Sequence, residues 1–74
     1  MANHVPITEL KPGESARVVS LPNESSYLRK LTSFGILPGV EVEVLQVSPA
    51  YVLCIEYTQL AVDFEVARRI IVEK

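Results

Sequence analysis

Cysteine, histidine and tryptophan are almost missing from this chain: Cys54 and His4 are single and tryptophan is absent. One thiol cannot cross-link a monomer, so no disulfide framework holds the fold, as befits a reducing compartment. With one His, one Cys and scattered carboxylates, the sequence does not assemble the three or four converging ligands of a dedicated metal centre. Glu41 and Glu43 share a strand face, but that pattern reads as the solvated side of a half-buried strand. Cys54 lies mid-strand among apolar residues and reads as a small buried hydrophobe. A Cys54–His4 nucleophilic pair would require the N-terminal arm to fold back, and no other catalytic group has an evident partner. The expectation is a protein without catalytic or metal-ligating residues and without a cofactor, not an enzyme.

Glycine is limited to Gly13, Gly35 and Gly39, which fit neither a P-loop nor a dinucleotide fingerprint. Seven basic residues against nine acidic ones give a net charge of −2, which argues against nucleic acid as partner. The longest apolar runs, such as Tyr51 to Ile55, fall far short of the roughly twenty residues of a membrane-spanning helix. Met1 to Pro6 has no basic and apolar leader pattern, so the expectation is a cytoplasmic protein with no direct membrane insertion.

What the chain does have is aliphatic bulk. Of its 74 residues 49% are apolar and 22% charged, which places it with folded domains rather than disordered ones. A chain this short forms one domain over residues 1–74.

Pro6 and Pro12 make the start an extended arm, flexible over residues 1–6, with Ile7 and Leu10 available to tuck against the core. Ser15 to Leu21, with Val18 and Val19, predicts a first strand. Asn23 as N-cap and Tyr27, Leu28, Leu31 and Phe34 at helical spacing predict a helix over 24–34 with those four facing inward. Gly35 supplies a left-handed stop, and Pro38-Gly39 turns the chain. Val40 to Val44 alternates strictly with Glu41 and Glu43, and the change of phase at Leu45 predicts a β-bulge. Ser48-Pro49-Ala50 turns into a strand over Tyr51–Tyr57. A two-residue turn at Thr58-Gln59, or a longer loop since that pair is poor tight-turn chemistry, leads to a strand at Leu60-Ala61-Val62. Phe64 to Arg68 suits a helical turn, and Ile70 to Val72 a last strand. So few short strands bury their edges most economically by closing into a small SH3-like β-barrel, mainly β, with one helix after the first strand and a helical turn before the last. Edges left exposed would permit weak homo-oligomers. Tyr51 and Tyr57, near strand ends, are the candidates for exposure in a peptide groove, whereas Phe34 reads as core.

The segment Leu28-Arg29-Lys30-Leu31-Thr32-Ser33-Phe34-Gly35-Ile36-Leu37-Pro38-Gly39 resembles the FeoA family pattern, a helix with basic residues running into Leu-x-x-x-Gly-[Leu/Met/Ile]-x-Pro-Gly. Leu10 to Val18 is similar to the family's opening, Leu-x-x-Gly-x-x-(small)-x-Val. Leu60-Ala61-Val62 with Glu65 to Val72 is similar to its ending. The likeness spans nearly residues 7 to 72. Two departures reshape one end of the barrel. Only Ser48-Pro49-Ala50 stands where the family has a longer loop, and the glycine near Tyr57 and the basic residue near Asp63 are missing.

The resemblance implies an accessory of ferrous-iron uptake that contacts the G-protein region of a FeoB-type membrane permease. The partner-binding residues it suggests are Arg29, Lys30, Phe34, Gly35, Leu37, Pro38 and Gly39, with Arg68 and Arg69 adding electrostatic steering. The same barrel forms the C-terminal domain of iron-dependent repressors, so the alternative is a metal-responsive regulatory module, using His4, Cys54 or the Glu41/Glu43 face. No winged helix precedes this barrel in the sequence as read, which favours the accessory.

Overall fold

Strict alternation makes Glu41–Gln46 a strand with Val42 and Val44 buried and Glu41 and Glu43 in solvent, and the rest of the sheet assembles around it. The structure, a computed structural model, describes residues 3–74. Strands β1 (His4–Pro6), β2 (Ser15–Ser20), β3 (Glu41–Gln46), β4 (Tyr51–Ile55), β5 (Thr58–Val62) and β6 (Ile71–Glu73) form one antiparallel sheet in the order β1-β6-β2-β3-β4-β5. Helix α1 (Ser25–Ser33) follows β2, and the short α2 (Phe64–Ala67) precedes β6. The protein is thus mainly β, with the helix and helical turn where the sequence places them. Strands β2 to β6 contribute to one cluster of buried side chains that is wholly aliphatic, with Val5 of β1 and Tyr51 packing against it from its margin.

Four expectations change. Of the arm expected over 1–6, positions 1 and 2 lie outside the described residues, and residues 4–6 are strand β1, paired with β6. The anchor lies just beyond: Ile7 is completely buried and its N–H donates to the Ile70 carbonyl at 2.8 Å, with Leu10 buried after a 3₁₀ turn. Burying these two side chains offsets the entropy of ordering the arm.

The helix starts a residue later than expected, with Glu24 rather than Asn23 at its N-cap. The Glu24 carboxylate makes no cap bond, because it accepts from the Arg69 guanidinium instead. A charge-assisted bond to arginine outcompetes a backbone cap.

The β4–β5 turn is Glu56-Tyr57, not Thr58-Gln59: Ile55 pairs with Thr58, and Leu53 with Leu60. This register sets two buried leucines opposite each other, whereas a turn at Thr58-Gln59 would slide β5 by four positions and leave Leu60 facing Tyr57. Glu56 consequently adopts a left-handed φ of 55°. The expected bulge after Val44 is present, as a register shift between Val44 and Gln46.

Finally, Cys54 is half-exposed rather than buried. Leu53 and Ile55 take the inward positions of β4, so alternation turns Cys54 outward, where its thiol donates to the Glu56 carbonyl at 3.2 Å.

Candidate functional site

The chain between α1 and β3 forms a rigid corner. At the end of α1, Gly35 takes φ 89° while its N–H donates to the Thr32 carbonyl and that of Ile36 to the Leu31 carbonyl, both at 3.0 Å. This is the Schellman arrangement, which satisfies carbonyls the helix leaves open. Leu37-Pro38-Gly39-Val40 then makes a turn closed by Val40 N–H on the Leu37 carbonyl at 3.1 Å, with Gly39 at φ 95°. Proline in the second place and a positive-φ glycine in the third are the requirements of a type II turn. Gly39 N–H donates to the Val18 carbonyl at 2.8 Å, and Val18 N–H to the Val40 carbonyl at 2.9 Å, tying the corner to β2.

Within this frame Ile36 is completely buried, while Phe34 and Leu37 stay 39% and 44% exposed on either side of it, with Pro38 exposed beyond. Phe34 therefore does not join the core as its spacing suggests. Leu31 points straight inward, and at about 100° per residue Leu28 and Phe34 fall some 60° to either side of it. Both sit on the rim of the buried face, Leu28 with 38% of its surface exposed.

Arg29 and Lys30 are exposed on α1 immediately before the corner. Among the described residues neither enters an ion pair. Lys30 also borders a groove of about 120 Å³ between α1 and the β5–α2 junction, lined by Tyr27, Leu31, Ala61, Val62, Asp63 and Val66. This groove is invisible to local pattern reading, since its walls lie some thirty residues apart in sequence.

Arg68 and Arg69 stand apart from this set. Arg68 donates to Glu65 at 2.9 Å, a bond that holds the Glu65 carboxyl below its ordinary pKa and raises that of Arg68. Arg69 is paired with Glu24, at the opposite end of α1 from the corner, about 15 Å away along the helix axis. The fold thus brings Arg29, Lys30, Phe34, Gly35, Leu37, Pro38 and Gly39 together and leaves Arg68 and Arg69 elsewhere, engaged within the chain.

On the outer sheet face Glu41, Glu43, Cys54, Glu56 and Ser15 border an open cleft of about 220 Å³. His4 lies across the sheet from it, with Nε2 3.9 Å from Glu73 and strands β6, β2 and β3 between β1 and Cys54 on β4. Among the described residues no group of three or more His, Cys, Asp or Glu is placed to hold a metal ion. Nor is any helix among them long and apolar enough to cross a membrane.

The family model of the FeoA domain matches residues 5–74. The chain belongs to the FeoA family. No curated protein sequence matches it. A crystal structure of an iron uptake regulatory protein, FeoA, superposes with a TM-score of 0.84 at 26% identity, covering 97% of this chain and 99% of that one. The zinc-complexed FeoA of Stenotrophomonas maltophilia, described as a prokaryotic SH3-domain protein, gives 0.77 at 24% identity over 97% and 88% of the two chains. IdeR from T. acidophilum gives 0.86 at 23% identity, this chain covering 93% of itself but only 33% of the repressor. The latter two likenesses establish the SH3-like fold alone. The FeoA family is associated with ferrous-iron transport, so the resemblance read from the Leu28–Gly39 segment holds.

Proposed function

We propose that this protein is an accessory of ferrous-iron uptake that docks, through the Phe34–Gly39 corner and the Arg29/Lys30 side of α1, on the G-protein region of a FeoB-type permease. The observation that carries the reading is the exposure of Phe34 and Leu37 on a backbone fixed by buried Ile36 and by the Gly39–Val18 bond. A preformed apolar corner loses little conformational entropy on binding. Arg29 and Lys30 add a cationic flank that steers an acidic partner and speeds association. Arg68 and Arg69, neutralised by Glu65 and Glu24, contribute less to that field. The alternative, a metal-responsive module, draws on the likeness to repressors at 23% identity or below, which concerns the fold.

Titrating the purified protein into the permease's cytosolic domain, with and without guanine nucleotide, tests the proposal. Binding is expected, and Leu37→Ser or Phe34→Asp should weaken it at least about tenfold while circular dichroism shows the fold retained, as for an interface hot spot. Absence of binding to both the cytosolic domain and the detergent-solubilised permease overturns it.

A further inference from the structure

The two edges of the sheet are built differently. β1 carries Pro6, which has no N–H to offer, and His4 beside Glu73, and the Asn3 carbonyl next to it accepts from the Lys74 N–H at 2.8 Å. Proline and charge are the usual guards against edge pairing. β5 reads Thr58-Gln59-Leu60-Ala61-Val62, with no charge and no proline, and pairs with β4 through five consecutive positions without a bulge.

The two-residue Glu56-Tyr57 turn decides which backbone groups this edge presents. Ile55 and Thr58 close the turn as a hydrogen-bonded pair, so in an antiparallel ladder Leu53–Leu60 and Tyr51–Val62 are hydrogen-bonded pairs too. The N–H and C=O groups of Gln59 and Ala61 therefore point away from β4. Among the described residues they make no other backbone bond. Gln59 and Ala61 side chains are also exposed.

We propose that β5 is a self-association edge, pairing antiparallel with β5 of a second copy about a two-fold axis at Leu60. In this register Gln59 meets Ala61 of the second copy and the reverse, each exchanging both backbone bonds, and Thr58 meets Val62. A five-residue strand has no register with greater overlap. Leu60 meets its own equivalent, which continues the aliphatic core from one copy to the next. The register also places Tyr57 and Glu56 of one copy opposite Asp63 and Phe64 of the other. Tyr57 at 99% and Phe64 at 56% exposure are the most exposed large hydrophobic residues described, and the pairing covers both. No like charges oppose across the strand pair. The contact is smaller than the roughly 800 Å² per partner of a standard interface, so the dimer is a weak one. The pairing uses the β5 backbone and neither Phe34 nor Leu37, although Lys30 borders the same groove as Ala61.

Sedimentation velocity of the full chain over about 10 μM to 1 mM, the range of a sub-standard interface, reads the association directly. The mass should rise from 8.2 kDa toward twice that value with concentration. Hydrogen exchange should slow with concentration at the Gln59 and Ala61 amides, while Thr58 and Leu60, already bonded to β4, stay unchanged. Ala61→Pro removes only an outward N–H, and Ala61→Lys adds an edge charge; each should weaken association at least tenfold. If the proline variant fails to fold, the lysine variant alone decides. Phe34→Asp should leave association unchanged, which separates this edge from the docking corner. A constant 8.2 kDa species at every concentration overturns the proposal, as does association that survives Ala61→Lys.

Discussion

Replacing Glu56 by glycine should stabilise this protein. Glu56 holds φ 55° at the β4–β5 turn, in a region where Cβ crowds the backbone. The left-handed conformation costs a residue with a side chain about 1–2 kcal/mol. Glycine is free of that cost but gives up about 0.5–1 kcal/mol through the greater entropy of its unfolded chain. At the midpoints of these two ranges the backbone balance favours glycine by about 0.75 kcal/mol. Nothing in the side chain opposes the change, since Glu56 is exposed, enters no ion pair among the described residues, and borders a cleft already carrying Glu41 and Glu43. The Cys54 thiol bonds the backbone carbonyl of residue 56 and keeps its acceptor. For a domain of this size about 1 kcal/mol corresponds to some 4–8 °C in Tm. Thermal unfolding followed by circular dichroism reads the difference, with Glu56→Ala as the control that removes the charge and keeps Cβ. The alanine variant should stay within a few tenths of a kcal/mol of the parent, as exposed substitutions do. An unchanged or lower Tm for glycine refutes the strain argument, and an equal gain for alanine reassigns the effect to charge.

Ile36→Ala should cost about 2–5 kcal/mol, because the side chain is completely buried beneath the corner. With total stability of about 4–11 kcal/mol expected for this length, urea unfolding should show the variant close to collapse. Gly39→Ala should cost about 0.75 kcal/mol net, the φ of 95° being set against the unfolded-chain entropy that alanine saves, since a Cβ there meets nothing within 4 Å; no loss in the same assay counts against the type II turn. Asp63→Ala removes the carboxylate that caps the Val66 N–H at 3.0 Å and should cost about 1 kcal/mol, checked by the same melt. The Glu65–Arg68 pair contributes a small stabilisation that is complete above the ordinary carboxylate pKa and is lost as pH falls through the lowered value of folded Glu65. Glu65→Gln should therefore lower Tm slightly at neutral pH and leave the most acid region unchanged, which flattens the acid limb of a Tm-versus-pH curve.

What the sequence made legible follows from how local each signal is. The corner could be read because Gly35, Pro38 and Gly39 each permit few backbone states, and β3 because its valines alternate with glutamates over a single strand. β1 could not, since its partners are residues 71–73 and only Ile7, at its end, hints that the arm is held. The β4–β5 turn was misplaced by two residues because neither Glu56-Tyr57 nor Thr58-Gln59 carries the glycine or asparagine that marks a tight turn. The opposition of Leu53 and Leu60 decides it instead. In the candidate site, helical spacing located the inward face of α1 but not its width, so Phe34 looked buried when it lies on the rim. Engagement of Arg69 by Glu24 spans 45 residues and leaves no local trace.

The pairing of β1 with β6 brings the chain almost full circle: Lys74 N–H reaches the Asn3 carbonyl, and β6 lies between β1 and β2. Topologically the domain is close to a ring with one small gap. A short linker could join residue 74 back to residue 3, and new ends could be opened at the Glu56-Tyr57 turn, with every strand keeping its neighbours. Such a circular permutant would make β5 the first strand and β4 the last, and would place the Phe34–Gly39 corner nearer the new C-terminus than the new N-terminus.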